Sequence, residues 1–129
     1  MSSVLIKKVE TRTELKEFIE FHYDLYKGNA YDVPNLYSDE LNTLRKDRNA
    51  AFDFCDAEYF LAYKDGKIVG RVAAIINNLA NEKWNQKSVR FGWIDFIDDR
   101  EVSAALMKAV EDYGRSKGMT DMVGPLGFT

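Results

Sequence analysis

Apolar residues recur at helical spacing in two stretches of the chain and fill extended runs between them. The first helical face consists of Leu15, Phe18, Ile19, His22, Leu25 and Tyr26. Steps of three and four residues are typical of an amphipathic helix that buries one face. Thr11 stands three residues before Glu14, which is the spacing of a capping box. The pattern therefore predicts a helix that starts at Thr11 and ends near Gly28-Asn29.

Two apolar runs flank the dipeptide Asp65-Gly66. Asp-Gly between such runs is a strong signal for a two-residue β-hairpin turn. Glu58–Tyr63 and Ile68–Ile76 are therefore predicted to be antiparallel neighbours. The second run has Arg71 as almost its only polar residue, which predicts a central strand that is buried on both faces. A charge in such a strand needs an acidic partner or a cleft, and we favour an ion pair.

The remaining pattern completes an α/β (α+β) order of β-α-α-β-β-β-α-β. The further elements are predicted as strands over Val4–Glu10 and Val89–Ile97, a helix over Ser38–Lys46, a helix from a cap at Asp98 to a stop at Gly118, and a last strand that begins with Asp121–Val123. Ser and Asp are favourable helix caps, and Gly is favourable just after a helix end. We expect a mixed, mostly antiparallel sheet flanked by helices.

Composition and charge narrow the classes of function. The chain has 129 residues, 46% hydrophobic and 30% charged, which is ordinary for one globular domain over residues 1–129. A net charge of −3 without a basic track argues against nucleic-acid binding. Nothing approaches about 18 consecutive apolar residues, so we expect no membrane span. The single Cys55 suggests a reducing compartment, hence the cytoplasm, and one Cys with one His speaks against a metal site.

Two stretches resemble the GNAT, or general N-acetyltransferase, superfamily. Glu58–Ile75 carries Asp65-Gly66-Lys67-Ile68-Val69-Gly70, which is similar to the D-G-x-x-V-G turn between that family's second and third strands. Phe91–Lys117 is similar to its fourth strand and third helix. Phe21–Lys27, Asn29, Val33-Pro34 and Gly118–Pro125 resemble a group of bacterial GNAT-like proteins of uncertain substrate. The resemblance implies an acyl-CoA N-acyltransferase fold and transfer of acetyl from acetyl-CoA to a small-molecule amine.

The resemblance also implies site residues. In the family, the backbone of a splayed fourth strand holds the acetyl carbonyl and the pantetheine, and the matching residues are Ile94, Phe96 and Ile97. Asp95 is the candidate base because it is the only acid within this strand, the alternative being a solvent-facing strand residue. Glu58 is a weaker candidate base.

The aromatic and imidazole side chains around the first helix can be interpreted as site residues or as packing residues. Four tyrosines of this region either line an acceptor pocket, as the region does in the family, or pack in the core and at its rim: Tyr23, Tyr26, Tyr31 and Tyr37. His22 lies on the apolar face of the first helix. We interpret it as a histidine at the core boundary rather than as a base, although imidazole exchanges protons near neutral pH.

The family's coenzyme loop is altered here. Its Q/R-x-x-G-x-G/A pattern presents backbone N–H groups to the coenzyme A diphosphate at a helix N-terminus. The matching positions carry Asp98, Glu101 and Ser103, and Arg100 would compensate from the side. Asp98 matches the Q/R position, Glu101 the first glycine and Ser103 the second small residue, so carboxylates at this loop oppose a bound diphosphate. The alternative function is therefore a non-catalytic GNAT-like ligand-binding or interaction module.

Complete members of the family continue for another helix and two more strands, a segment that usually supplies a tyrosine acid. We therefore expect this chain to be the N-terminal part of a longer protein, or a unit completed by a partner strand. One such partner is a second copy that pairs along the open edge over Val123–Phe128.

Overall fold

The computed structural model describes residues 4–25 and 41–125. The strands are β1 (Leu5–Lys8), β2 (Cys55–Lys64), β3 (Lys67–Asn77), β4 (Ser88–Phe96) and β5 (Asp121–Val123). The helices are α1 (Arg12–Leu25), α2 (Asn78–Lys83) and α3 (Arg100–Ser116), with a 3-10 turn at Ala50–Asp53. Residues 41–44 are also helical.

The five strands form one sheet in the order β1-β2-β3-β4-β5. The first three pairings are antiparallel, and β5 lies parallel to β4. The hairpin prediction is confirmed, with Lys64 opposite Lys67 across the turn. Asp65 and Gly66 have φ angles of 54° and 78°, which is the left-handed backbone that a type I′ turn requires. The predicted mixed, mostly antiparallel sheet is therefore present.

Each face of the sheet buries one apolar cluster. The cluster beneath α1 includes Leu15, Phe18, Ile19, Tyr59, Leu61, Ala73 and Ile75, and the cluster beneath α3 includes Phe60, Val72, Ala74, Ile76, Val102, Leu106 and Val110. Because successive residues of β3 feed opposite clusters, this strand is buried along nearly its whole length, as its sequence predicts. The two helices therefore sandwich the centre of the sheet.

The first helix begins with the predicted capping box. Thr11 Oγ1 accepts a hydrogen bond from the Glu14 N–H at 3.1 Å, and Glu14 Oε1 accepts from the Thr11 N–H at 3.0 Å. A further bond from the Glu10 N–H is the main cause that lowers the pKa of Glu14. These bonds satisfy N–H groups that a helix start otherwise leaves unpaired.

Some boundaries differ from the prediction. The third predicted helix is capped by Asp99, not by Asp98: the Asp99 side chain accepts from the Glu101 N–H at 2.9 Å. The helix starts one residue later than predicted because the Ile97 N–H still donates to the Val69 carbonyl. This bond continues the pairing of β4 with β3 for one more residue. Ser38–Lys46 is helical only to residue 44 where it is described, and its first residues lie outside the described residues. The end of α1 beyond Leu25 lies there as well.

Candidate functional site

Arg71 ties α1 to the centre of the sheet. Its side chain is 3% exposed and donates from Nη1 to the carbonyl oxygen of Phe18 at 3.0 Å. The guanidinium carbon also lies 5.1 Å from the centre of the Phe18 ring, a cation–π distance. On the next strand, Asp95 accepts from Arg71 Nε at 2.9 Å. The predicted ion pair is therefore present, and it explains how a charge is tolerated in this strand.

Asp95 also contacts His22. His22 Nδ1 lies 3.2 Å from Asp95 Oδ2, the same oxygen that Arg71 contacts through Nε and Nη2. The side chain of Asp95 is 13% exposed and that of His22 is 32% exposed. The structure thus brings the candidate base Asp95 together with the one histidine of the chain, on the face of the sheet that α1 covers.

A bulge in β4 sets the direction of these side chains. Arg71 pairs with Asp95 and Ala73 with Gly92, so three steps along β4 face two steps along β3. Within the bulge Trp93 has a φ of 45°, a region that bulky residues rarely occupy. Such outliers persist where the surroundings impose them, and they are frequent at functional sites. Bulges re-aim side chains in this way next to active sites.

Among the described residues, strand pairing along the outer edge of β4 ends at Arg90. β5 pairs only with Ser88, Val89 and Arg90, so within the described ranges no strand pairs with the outer edge from Phe91 to Phe96. Of the residues predicted to hold a thioester, Ile94 and Ile97 pack against the α3 cluster, and Phe96 is exposed. The backbone of these three residues therefore lies along a stretch of β4 whose outer side is paired with no strand of the described residues.

The N-terminus of α3 is occupied by the protein's own carboxylate. Asp99 Oδ1 takes the Glu101 N–H, while Asp99 Oδ2 lies 2.6 Å from Lys64 Nζ at the hairpin. The Lys64 bond, followed by the Glu101 bond, lowers the pKa of Asp99. Arg100 is exposed, and the Ser103 hydroxyl donates to the Arg100 carbonyl at 3.2 Å. This arrangement does not fit a coenzyme diphosphate, because a carboxylate already occupies the cap.

The other predicted residues lie elsewhere. Glu58 lines a cleft of about 540 Å³ with Tyr113 and Lys117, on the α3 face, so the structure does not bring it to Asp95. Tyr26, Tyr31 and Tyr37 lie outside the described residues, as does the side chain of Tyr23. In the part of the chain that is described, no three His, Cys, Asp or Glu side chains lie close enough together to hold a metal ion.

His22 was predicted to be a histidine at the core boundary, and its contact with Asp95 was not predicted from the sequence. Its sequence distance from Asp95 is 73 residues, and no local pattern joins them. The available signal was indirect: Phe18, one helical turn earlier, belongs to the sheet-facing row, so His22 had to lie over the same face.

Two curated proteins resemble the chain in sequence. Protein YghO of Escherichia coli (strain K12) is 35% identical over 124 residues, and the bacterial ceramide synthase of Caulobacter vibrioides (strain NA1000 / CB15N) is 32% identical over 122 residues. The matches cover 96% and 94% of this chain, but the chain spans only 32% of either relative. No protein-family model matches the sequence.

Solved acetyltransferases resemble the chain in structure. A tandem GNAT protein from the clavulanic acid biosynthesis pathway has a TM-score of 0.69 at 10% identity, covering 93% of this chain and 35% of that protein. AAC(6')-Iy, solved with a bisubstrate analogue that contains CoA, has a TM-score of 0.63 at 19% identity, covering 98% and 81%. Glucosamine-6-phosphate N-acetyltransferase from Arabidopsis thaliana has a TM-score of 0.59 at 15% identity, covering 97% and 83%.

The TM-scores and the coverage of this chain show that it shares its overall fold with these proteins. In the described ranges, no helix has the length and apolar character needed to cross a bilayer. The chain has the GNAT fold, which is the acyl-CoA N-acyltransferase fold of these enzymes.

Proposed function

We propose that the chain is an acyltransferase unit that moves an acyl group from a coenzyme A thioester to an amine. The observation that carries this proposal is the geometry of β4. The strand is bulged at Trp93 and carries Asp95 on the face covered by α1, and no strand of the described residues pairs with its outer edge from Phe91 to Phe96. A thioester along that edge would bring its carbonyl beside the backbone of Ile94–Ile97, with the amine approaching from the side of Asp95.

Two lines of resemblance support an amide-forming reaction. The GNAT fold is shared with N-acetyltransferases. One sequence relative is a ceramide synthase, and ceramide is an N-acylated long-chain amine. Because this chain spans about a third of that relative, the activity of the whole protein belongs to the proposal. The first relationship favours acetyl-CoA as the donor, and the second favours a fatty acyl-CoA with a long-chain amine. The cytoplasmic location expected from the sequence is part of the proposal too.

Product formation tests the reaction directly. The 129-residue chain is incubated with acetyl-CoA or palmitoyl-CoA, each combined with sphinganine or glucosamine 6-phosphate, and the amide is measured by mass spectrometry. We expect amide from at least one of the four pairs at a rate well above that of the unfolded chain. No amide from any pair would contradict the proposal.

The Asp99 cap favours one alternative, a non-catalytic module of GNAT fold. A carboxylate fixed at the start of α3 opposes binding of the coenzyme diphosphate. Such a module would give no amide and would leave the β4 edge to another ligand or partner. The four-pair assay therefore separates the two functions, since only the enzyme produces amide.

A further inference from the structure

An apolar cleft lies between the edge strand β1 and helix α3, on the face of the sheet opposite Asp95. Its volume is about 540 Å³, which is within the range of small-molecule sites. The apolar residues that line this β1–α3 cleft are Val4, Ile6, Phe60, Ala105 and Ala109. No residue of this set contributes to the proposed acyl transfer, so the cleft has room for a separate ligand.

The cleft exists because α3 presents small side chains towards β1. Val102, Leu106 and Val110 are fully buried and form the row of α3 that packs on the sheet. Ala105 and Ala109 are four residues apart, so they form a neighbouring row on the helix. An alanine side chain ends at Cβ, and the space between this row and β1 therefore stays open.

The β1–α3 cleft has a polar end, where it adjoins the cleft lined by Glu58. Lys8, Tyr113 and Ser116 line both spaces. Lys8 shares a face of β1 with Ile6, because side chains alternate along a strand, and Tyr113 lies one helical turn beyond the alanine row. A molecule that lies along the alanine row therefore has one end beside Lys8 and Tyr113.

Lys8 and Tyr113 make this end suitable for an anion. Among the residues that the structure describes, neither the Lys8 ammonium group nor the Tyr113 hydroxyl has an ion-pair or hydrogen-bond partner. Burial, followed by the carboxylates of Asp56 and Glu58, raises the pKa of Tyr113 to about 12. The hydroxyl therefore keeps its proton at neutral pH and can donate to an anion, as the lysine can.

The other charged side chains of the two clefts balance one another. Lys108 Nζ forms an ion pair of 2.7 Å with Asp112 Oδ2 at the rim of the β1–α3 cleft. The adjoining cleft is lined by two further lysines and two acidic residues, which are Lys46, Lys117, Asp56 and Glu58. Lys8 is thus the excess charge of the described lining, which carries a net charge of +1 although the whole chain carries −3.

We propose that the β1–α3 cleft binds a fatty acid, with its alkyl chain along Ala105 and Ala109 and its carboxylate at Lys8 and Tyr113. Each methylene group that leaves water for the apolar part of the cleft favours binding. The lysine and the phenol supply charge-assisted hydrogen bonds to the carboxylate. This ligand is independent of the proposed acyl transfer, because it lies on the α3 face of the sheet whereas Asp95 lies on the α1 face.

Binding of laurate to the 129-residue chain tests this site, measured by calorimetry below the concentration at which laurate forms micelles. We expect one saturable site. Laurate should bind at least about tenfold tighter than octanoate, because its longer chain buries more methylene groups in the cleft. It should also bind at least about tenfold tighter than dodecylamine, whose cationic head is repelled by Lys8.

Two matched pairs of variants locate the bound laurate. Ala105→Leu fills the cleft and should weaken laurate binding by about tenfold or more, whereas Ala104→Leu, an exposed change on the same helix, should leave the dissociation constant within two-fold. Lys8→Gln should weaken binding by about tenfold, the effect of one hydrogen bond to a charged group. Lys7→Gln changes the opposite face of β1 and should have no effect. Circular dichroism would confirm that each variant is folded.

Absence of saturable laurate binding up to millimolar concentration would overturn the fatty-acid site. Octanoate or dodecylamine that binds as tightly as laurate would overturn it too, since neither chain length nor head charge would then matter. Equal affinity of Lys8→Gln and Lys7→Gln for laurate would place the ligand elsewhere, and this pair decides the matter alone if Ala105→Leu does not fold. None of these results bears on amide formation, which the four-pair assay measures separately.

Discussion

At the level of single residues, the sequence predicted the ion pair of Arg71 but not the contact of His22. A buried arginine requires an acidic partner, so the ion pair of Arg71 followed from its apolar strand alone. Its partner on the next strand was also the only acid available there. The contact between His22 and Asp95 could not be predicted in this way. It depends on the angle at which α1 crosses the sheet, and the sequence near either residue does not determine that angle.

Gly70, the last residue of the D-G-x-x-V-G turn, makes room for α3. A Cβ at this position would lie 2.9 Å from both Leu106 Cδ1 and Val102 Cγ1, closer than carbon atoms pack. We expect Gly70→Ala to lower the free energy of unfolding by about 1–3 kcal/mol, as overpacked cores do. Urea unfolding followed by circular dichroism would measure it.

A double-mutant cycle controls for other effects of the added methyl group. Leu106→Ala removes one of the clashing atoms, so Gly70→Ala should cost less in that background than in the wild type. An equal cost in both backgrounds would show that close approach to Leu106 is not the cause.

At the scale of elements, the pattern predicted strands and helices well but could not predict the β4 bulge. Hydrophobic periodicity reports which face is buried, and it identified the hairpin, β3 and α3. In the bulge, Trp93 adopts a left-handed backbone conformation. Glycine is the residue that usually occupies this conformation, so a tryptophan gives no signal for it in the sequence. Its place is set by the pairing between two strands, not by either strand alone.

The start of α3 predicts a weak contribution of the coenzyme diphosphate to binding. Acetyl-CoA and acetyl-pantetheine, which lacks the diphosphate, should bind with dissociation constants within about three-fold of each other, because Asp99 occupies the helix cap. Asp99→Asn keeps a good cap but frees Lys64, so it should tighten acetyl-CoA alone. Calorimetry would decide. Acetyl-CoA binding tenfold tighter than acetyl-pantetheine, about 1.4 kcal/mol, would contradict this account.

The same cap predicts a pH dependence of stability. Lys64 and the Glu101 N–H lower the pKa of folded Asp99. The carboxylate therefore stabilises the fold at neutral pH, and that contribution is lost as the pH falls below about 3.9, the usual aspartate value. Wild type should be more stable than Asp99→Asn at pH 7, with the difference shrinking toward pH 3. Urea unfolding at both pH values checks this, and a constant difference would refute it.

At the scale of the whole molecule, the helices α1 and α3 cover the centre of the sheet, and the short strand β5 forms an exposed edge. All three residues of β5 are exposed, and Met122 and Val123 are 40% and 41% exposed. Exposed apolar edge strands tend to pair with other strands. The order of the strands along the chain and the exposed last strand were predicted from the pattern. Of the pairings within the sheet only the β2–β3 hairpin was predicted, because the other pairings depend on contacts between segments that are distant in sequence.

We expect the 129-residue chain to self-associate through β5. Light scattering should show a mass that rises from monomer toward dimer with concentration. Val123→Lys should shift the chain toward monomer, because an edge lysine blocks strand pairing. Lys117→Ala, an exposed change just beyond α3, is the matched control and should leave the mass unchanged. A concentration-independent monomer in the wild type would count against pairing at this edge.

We expect the outer edge of β4 from Ile94 to Ile97 to receive an acyl thioester. A titration of the ¹⁵N-labelled chain with acetyl-CoA, followed by the backbone amide signals in NMR, tests it most directly. We expect the signals of Ile94, Asp95, Phe96 and Ile97 to shift progressively and saturate, while those of β1 stay in place. Signals of β4 that remain unchanged up to millimolar acetyl-CoA, or shifts confined to another surface, would contradict it.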